Sequence, residues 1–266
     1  MAFADVNGKR LHYEIFGQGT PIILIHGSTN FGLSWMPQIA ALVYSGYRVI
    51  TPDLYGHGLS SPADHVTPVS ELAEDMLELL DTLGIDRSIF CGLSLGGMVT
   101  QDLAIHAPNR VAAAIIASAF AANPGRAAAV NKWVRLLDQP HGAQHRLAAT
   151  WPKLVNDAFA ASPAGRAFFE TWHHVLEHVD GHSLMNIVLG TVTFNVLDDL
   201  RQIECPTLVI CGEADILTNP EFSEEIARGI RGAALKRIPA AGHLCCADSA
   251  DLFNATIRQF LGTAKA

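Results

Sequence analysis

The sequence predicts an α/β fold, in which a doubly wound and mostly parallel sheet carries an inserted helical lid. Continuous apolar runs alternate with stretches of helical periodicity from residue 21 to 118 and again from residue 207 to 261. Such runs are typical of strands buried on both faces of a parallel sheet, and their alternation with helices indicates cover on both sides. Residues 121–195 contain helical stretches and no convincing strand. We therefore predict a core of residues 1–120 and 196–266, with residues 121–195 as the lid.

The first half of the core begins with a predicted hairpin, because Asn7-Gly8 is a strong two-residue turn signal. Apolar runs and helical spacing predict strands at 21–25, 47–52, 88–91 and 111–118, and helices at 35–45, 69–83 and 95–106. Thr67 and Pro68 stand before the second of these helices as its expected N-cap and first helical residue.

The second half of the core continues the same alternation after the lid. Strands are predicted at 207–211 and 234–238, and helices at 221–230 and 252–261. Asp248 precedes the last helix and is its expected cap. In open sheets of this kind, ligands bind beyond the carboxyl ends of the strands. Catalytic residues are therefore expected where the strands end.

Composition restricts the class of partner. Hydrophobic residues make up 49% of the chain and charged residues 17%, a balance typical of a folded protein with a large core. The net charge of −8, without any basic run, argues against nucleic acid. Residues 1–10 lack the apolar segment of a secretory signal, and no uncharged apolar run reaches the ~18 residues of a membrane span. We expect a cytoplasmic protein without a membrane partner, and the sequence leaves a homo-oligomer open.

The cysteines and the lid histidines give no clear metal or disulfide signal. The five cysteines match neither a disulfide framework nor zinc spacing, so we expect buried thiols, with Cys245 and Cys246 packed behind the loop that precedes them. Four histidines cluster in the lid: His173, His174, His178 and His182. They suggest a metal site, but no second ligand group at fixed spacing appears. A polar lid face, with neither metal nor cofactor, is the favoured interpretation.

The strongest functional signal is the G-x-S-x-G sequence of residues 92–96, which follows an apolar strand and precedes a helical run. In that context a sharp turn lifts the hydroxyl of Ser94 above the sheet at a helix N-terminus, where developing negative charge is favoured. Asp215 and His243 each follow a late strand. The order serine, aspartate, histidine is typical of a nucleophilic triad in this kind of fold.

With these residues and two further stretches, the chain resembles the α/β-hydrolase fold family. Residues 26–28, His-Gly-Ser, are similar to the family's oxyanion loop, and residues 53–60 to its D-x-x-G-x-G-x-S turn. The sequence around Ser94 and the compact lid most resemble the 3-oxoadipate enol-lactonase and small carboxylesterase branch. Serine rather than aspartate at the turn argues against the dehalogenase and epoxide-hydrolase branches. The resemblance covers nearly the whole chain and weakens only across the lid.

The resemblance implies a carboxylic ester hydrolase, an esterase or lactonase that works without a cofactor. Ser94 would be the nucleophile, His243 its base, and Asp215 the partner that orients the imidazole. Backbone N–H groups of Leu95 and Ser28 would hold the oxyanion. A small-molecule ester or lactone is the expected partner.

Several alternatives stay open at the level of single residues. Glu213 is the nearest rival for the acid, and Asp215 could instead cap the following helix. His26, His57 and Asp53 are expected to organise loops rather than to react.

The lid is expected to supply an apolar pocket. Trp133, Trp151 and Trp172 are the candidate substrate-binding residues, although each could equally pack in the lid's own core. The same triad would suit a cofactor-free perhydrolase of the haloperoxidase type, in which peroxide replaces water. It would also occur in a ligand receptor that keeps a hydrolase scaffold.

Overall fold

A computed structural model describes residues 1–264 and confirms the predicted fold class. Its strands are β1 (Ala2–Val6), β2 (Lys9–Phe16), β3 (Thr20–Ile25), β4 (Tyr47–Pro52), β5 (Ser88–Leu93), β6 (Val111–Ala117), β7 (Thr207–Gly212) and β8 (Ala234–Ile238). Within the described residues they form one eight-stranded sheet in the order β1-β2-β4-β3-β5-β6-β7-β8. β2 pairs antiparallel with both β1 and β4, and the other neighbouring pairs are parallel.

From β3 onward, helices occupy each connection between successive strands, and two more follow β8. The helices are α1 (Met36–Tyr44), α2 (Val69–Thr82), α3 (Leu95–His106), α4 (Arg126–Leu137), α5 (Gly142–Leu154), α6 (Asp157–Ala161), α7 (Pro163–Val175), α8 (Gly181–Gly190), α9 (Pro220–Gly229), α10 (Cys245–Asp248) and α11 (Ala250–Ala264). Short 3₁₀ helices occupy Gly32–Trp35, Pro108–Arg110, Leu176–His178 and Leu197–Gln202. No helix among the described residues combines the length and the apolar character needed to cross a bilayer.

The core lies on both faces of the sheet, because successive strand residues point to opposite sides. In β3, Ile22 and Leu24 join the apolar cluster of α1 and α11, whereas Ile23 and Ile25 join that of α2 and α3. All residues of β5 and β7 are buried. The continuous apolar runs in the sequence therefore correspond to strands covered on two sides.

Five helices, α4 to α8, follow one another between β6 and β7, in the segment for which the sequence predicts a lid. An isolated antiparallel bridge pairs Ala122 with Asn195 and brings the two ends of this insertion together. The lid side chains of Val130 and Leu147 belong to the same apolar cluster as Leu93, the last residue of β5. The lid therefore packs onto the sheet at the carboxyl end of β5.

The predicted cap of α2 is wrong. Pro68 rather than Thr67 occupies the N-cap position, with extended backbone and no side-chain hydrogen bond. The hydroxyl of Thr67 donates instead to the carbonyl oxygen of His65 at 2.9 Å. A local turn therefore takes the hydroxyl that the helix would have used, as threonine side chains commonly allow.

The predicted cap of α11 is also wrong. Asp248 ends α10, and α11 begins at Ala250. One carboxylate oxygen of Asp248 accepts hydrogen bonds from the backbone N–H groups of Gly242, at 2.7 Å, and of Asn156, at 3.0 Å. This carboxylate ties the loop that carries His243 to the lid.

All five cysteines are free thiols, four of them buried and Cys205 partly exposed. Cys245 and Cys246 join the apolar cluster that also contains Leu244, next to His243. Burial raises the pKa of both thiols and so keeps them protonated. The vicinal pair packs behind the histidine loop, as expected from the sequence.

Candidate active site

Ser94 lies on a tight turn between β5 and α3. Its backbone has φ 54° and ψ −111°, a conformation that L residues rarely adopt. Its N–H donates to the carbonyl of Ala117 at the end of β6, at 2.9 Å. Backbone strain of this kind persists only where the surroundings impose it, and it concentrates at functional sites.

The glycines of the turn are required by close approach of the backbone. A Cβ added to Gly92 would lie 1.9 Å from the carbonyl oxygen of Gly96, and one added to Gly96 would lie 2.1 Å from that of Ile25. No side chain fits either gap. The G-x-S-x-G spacing thus lets α3 start directly against β3 and β5, with Ser94 at the apex.

Asp215 and His243 are joined by a hydrogen bond at the ends of β7 and β8. The Nδ1 of His243 lies 2.9 Å from Oδ2 of Asp215, and only 6% and 2% of the two residues is exposed. Nδ1–H donates this hydrogen bond to the carboxylate, so Nε2 is unprotonated in the neutral ring. The histidine is therefore held in the tautomer that can accept a proton from a nucleophile.

Asp215 is also held by the turn that follows it. Oδ1 accepts from the N–H groups of Leu217 and Thr218, at 2.8 and 2.9 Å, and the hydroxyl of Thr218 lies 2.7 Å from Oδ2. Burial opposes ionisation of Asp215, but His243 and these hydrogen bonds outweigh it and hold the pKa of the carboxyl below its ordinary value. The rival acid Glu213 is exposed, and no hydrogen bond joins it to His243.

One cavity contains both Ser94 and His243. Its lining includes Gly27, Ser28 and Asn30 of the loop after β3, together with Leu217 and Thr218. The side-chain oxygen of Ser28 is buried and has no hydrogen-bond partner among the described residues. A Cβ added to Gly27 would lie 3.3 Å from the Cβ of Ser94, so this loop runs directly beside the serine.

Leu95 begins α3 beside the serine. The first N–H groups of a helix have no intrahelical acceptor. The N–H of Leu95 is therefore free of the helix ladder at the place where the sequence predicts an oxyanion donor. The assignment of Leu95 and Ser28 to an oxyanion hole stays a prediction.

His26, His57 and Asp53 hold the loops around the cavity. The Nε2 of His26 accepts from the N–H of Leu54 at 3.0 Å, and Nε2 of His57 accepts from the N–H of Thr29 at 3.0 Å. Asp53 accepts from the N–H groups of Gly32 and Leu59 and bonds the His12 ring. Burial lowers the pKa of both His26 and His57, so both rings stay neutral. Their hydrogen bonds are those of loop organisers.

A sequence model of the alpha/beta hydrolase family matches residues 22–256 of the chain. The chain belongs to the alpha/beta hydrolase family. A Variovorax paradoxus protein, provisionally named carbamate hydrolase RutD, is 31% identical over 96% of this chain and 97% of its own. A Synechocystis protein, provisionally named non-heme chloroperoxidase, is 29% identical over 94% of each chain. The crystal structure of an enol-lactonase from Burkholderia xenovorans LB400 matches with a TM-score of 0.90 and 28% identity, over 98% of this chain and 100% of the other.

In this family member, two of the three candidate tryptophans reach the cavity. Trp133 of α4 and Trp172 of α7 line it, and Nε1 of Trp172 donates to the carbonyl of Thr29 at 2.7 Å. Trp151 is absent from the lining and stacks on Phe168, with ring centroids 6.3 Å apart. Helix geometry explains the difference, because Thr150 faces the cavity and the next residue is rotated by about 100°.

Sequence reasoning missed two cavity residues of this hydrolase fold, Arg126 and Arg146. Both are lid residues, both are buried, and both line the cavity with Ser94. A signal was present in the sequence, because Arg126 shares a helical stripe with Val130 and Leu137, which are also buried. An arginine in an apolar stripe indicates either a buried ion pair or a ligand.

The lid histidines lie elsewhere. His174, Glu177 and His178 are exposed, with their potential ligand atoms within 4.8 Å of one another. The Nδ1 of His174 lies 3.1 Å from a carboxylate oxygen of Glu177. None of these residues, nor His173 or His182, lines the cavity of Ser94. They form part of the solvent-facing surface of the lid.

Proposed function

We propose that the protein is a serine hydrolase that cleaves a carboxylic ester or lactone through an acyl-enzyme on Ser94. The observation that carries the proposal is one cavity lined by a strained serine and by a histidine whose Nδ1 is held by a buried aspartate. A serine hydroxyl is a weak nucleophile by itself and needs an adjacent base that is itself oriented. Ser94, His243 and Asp215 supply these three roles.

In the proposed mechanism, Ser94 Oγ attacks the carbonyl carbon and its proton passes to Nε2 of His243. Asp215 keeps the imidazole in the correct tautomer and stabilises the imidazolium that forms. Collapse of the tetrahedral intermediate expels the alcohol, which takes the proton from His243. Water, deprotonated by His243, then attacks the acyl-enzyme, and Ser94 leaves with the proton.

The oxyanion of the tetrahedral intermediate is proposed to accept hydrogen bonds from the N–H groups of Leu95 and Ser28. The position of Leu95 at the start of α3 adds the positive end of the helix dipole. One preorganised donor of this kind lowers the barrier by about 3 kcal/mol. The unpartnered hydroxyl of Ser28 is a further donor toward the same cavity.

The comparisons support ester-type hydrolysis without identifying whether the bond that is cleaved is an ester, a lactone or a carbamate. The enol-lactonase of Burkholderia xenovorans shares the whole fold, and the relative named carbamate hydrolase suggests that a carbamate carbonyl is another candidate electrophile. Esters, lactones and carbamates all present a carbonyl carbon with a leaving oxygen or nitrogen. The same nucleophile and base serve each of them.

The test is turnover of a panel of p-nitrophenyl esters and small lactones by the wild-type protein and by Ser94→Ala. We expect Ser94→Ala to lose at least ~10³-fold in kcat, since the triad acts as a unit. Its circular dichroism and unfolding midpoint should match those of the wild type. Retained turnover would reject the nucleophile. Absence of turnover in the wild type would favour a ligand receptor on this scaffold.

Perhydrolysis is the second candidate, because the Synechocystis relative carries the name of a non-heme chloroperoxidase. The same acyl-enzyme would then be attacked by hydrogen peroxide to give a peracid, which oxidises halide. Bromination of monochlorodimedone in acetate, bromide and peroxide, compared with ester hydrolysis by the same preparation, separates the two activities. Peroxide-dependent bromination faster than hydrolysis would favour this candidate.

A further inference from the structure

We infer that Arg126 and Arg146 form a carboxylate-binding subsite, so that the substrate carries a carboxylate besides the ester or lactone group that Ser94 attacks. The inference rests on the proposed function, because it places the anion in the same cavity as the nucleophile. It goes further in naming the chemical class of the substrate and the residues that select it.

Both arginines are buried in the wall of the active-site cavity. Only 9% of Arg126 and 6% of Arg146 is exposed, and both line the cavity with Ser94 and His243. Arginine is almost never this deeply buried unless a partner compensates its charge. Because the two cations lie beside the nucleophile, the expected partner is a ligand in the cavity itself.

Neither arginine has an acidic partner among the described residues. Nε of Arg126 donates to the hydroxyl of Thr191 at 2.9 Å, and Nη1 of Arg146 donates to the hydroxyl of Thr29. Nε of Arg146 is buried, and no described residue accepts its hydrogen. The partners of both guanidinium groups are thus neutral hydroxyls, and donors remain for a ligand.

The two guanidinium groups are brought together by one indole ring. Their central carbons lie 4.6 Å (Arg126) and 4.3 Å (Arg146) from the centroid of the Trp133 ring. The negative face of an indole attracts a cation but accepts no strong hydrogen bond. Trp133 therefore orients both groups at the cavity wall without neutralising either of them.

Without a bound anion, the two buried arginines destabilise the folded protein. A buried charge without a counter-ion is unfavourable, and Arg126 stands at the first position of α4, the positive end of the helix dipole. Burial lowers the pKa of Arg126 to about 10, and burial together with the charge of Arg126 lowers that of Arg146 to about 9. Both groups remain protonated at neutral pH. An anion bound between them would relieve each of these unfavourable interactions.

The lining of the cavity favours a small planar anion. The apolar wall of the cavity includes Leu93, Leu154 and Leu217, which suit a short carbon skeleton between the two functional groups. A carboxylate has two oxygens in one plane and matches the fork of a guanidinium. The structure thus favours a short ester or lactone with one carboxylate.

The test compares monoethyl succinate with ethyl 4-methylpentanoate, in which an isopropyl group replaces the carboxylate at nearly equal size. For the wild type we expect kcat/KM to be at least ~100-fold higher for the charged ester, since two charge-assisted contacts are involved. Arg126→Met and Arg146→Met should each reduce this ratio at least ~10-fold. Arg135→Met, which changes an exposed arginine of the same lid helix, should keep the ratio. A wild-type ratio near one, or a ratio unchanged in both cavity variants, would overturn the subsite.

Binding separates the subsite from the proposed function. Calorimetry of succinate with Ser94→Ala, and with Ser94→Ala combined with Arg146→Met, needs no turnover. Succinate bound by the first variant and bound at least ~10-fold more weakly by the second supports the subsite, even if neither ester is hydrolysed. No succinate binding overturns it, even if neutral esters are hydrolysed. Inorganic phosphate binding more tightly than succinate would overturn the assignment to a carboxylate.

Discussion

Thr218 is a positioning residue at the centre of the Asp215–His243 pair. Its hydroxyl lies 2.7 Å from Oδ2 of Asp215, 3.1 Å from Nδ1 of His243 and 3.0 Å from the carbonyl oxygen of Ser118. A hydroxyl has a single hydrogen, and Nδ1 of His243 already carries a proton, so only the two oxygens compete for the hydrogen of Thr218. Because Ser118 follows β6 and Thr218 follows β7, the hydroxyl also fixes the relative position of two strand ends.

We predict that Thr218→Val lowers kcat about tenfold, because one net hydrogen bond to a charged group is lost and Asp215 is held less firmly. Thr218→Ser keeps the hydroxyl and should stay within about threefold of the wild type. Steady-state kinetics with a p-nitrophenyl ester at several pH values provides the measurement. The idea fails if the valine and serine variants have the same kcat.

At the scale of the elements, the serine turn depends on backbone contact between α3 and the strands beside it. Gly96 touches the carbonyl of Ile25 in β3, and the same contact places the start of α3 against the loop that begins at His26. A methyl group at this point has no space to enter. The turn is therefore set by the packing of a helix on two strands as well as by local sequence.

We predict that Gly96→Ala destabilises the protein by about 3 kcal/mol or more, since the added Cβ overlaps backbone atoms that cannot move independently. Gly262→Ala is the matched control, because Gly262 is an exposed residue of α11 with open space around it. That substitution should stabilise the protein by about 0.5–1 kcal/mol. Urea unfolding at equilibrium measures both. Equal effects of the two substitutions would contradict the packing argument.

The bounds and caps of the strands and helices show how much of the fold could be predicted from the sequence. The strands at Tyr47–Pro52 and Ala234–Ile238 have the predicted bounds, because the turn residues beside them, such as Gly46 and Pro239, are local signals. The cap role of Asp248 was wrong for the opposite reason. Its carboxylate bonds Asn156, 92 residues away, and no local pattern reports such a partner.

The candidate site was predictable to a similar degree. Motif order predicted that Asp215 and His243 would meet, and the imidazole of His243 is hydrogen-bonded to the carboxylate of Asp215. Arg126 and Arg146 were missed because an arginine on a helix is normally a surface residue. Only the packing of the lid on the sheet turns those two positions toward Ser94, and that packing is a property of the whole tertiary structure.

At the scale of the whole molecule, two buried neutral histidines couple folding to pH. His26 and His57 accept backbone N–H groups through Nε2, and protonation would break both hydrogen bonds. Burial, with the charge of nearby groups, lowers the pKa of His57 to about 3. An unfolded histidine titrates near 6.5. Between these values the unfolded chain binds a proton that the folded chain does not, so stability rises with pH.

We predict that His57→Gln makes stability less dependent on pH between about 6 and 4.5. One histidine whose pKa is this low in the folded protein changes the free energy of unfolding by up to about 1.4 kcal/mol per pH unit. This contribution to stability is lost as the pH falls. The difference in slope between variant and wild type, from urea unfolding across this range, isolates His57. Equal slopes would show that the ring is protonated as readily in the folded protein as in the unfolded chain.

The bond network around Asp248 has a consequence for how molecules enter and leave. The N–H of Leu244, next to His243, donates to the carbonyl of Leu154 at 2.7 Å, in addition to the contacts that Asp248 makes with both segments. An outward movement of the end of α5 would therefore pull His243 away from Ser94. A substrate that enters without displacing His243 has to pass the lid at a point away from this end of α5.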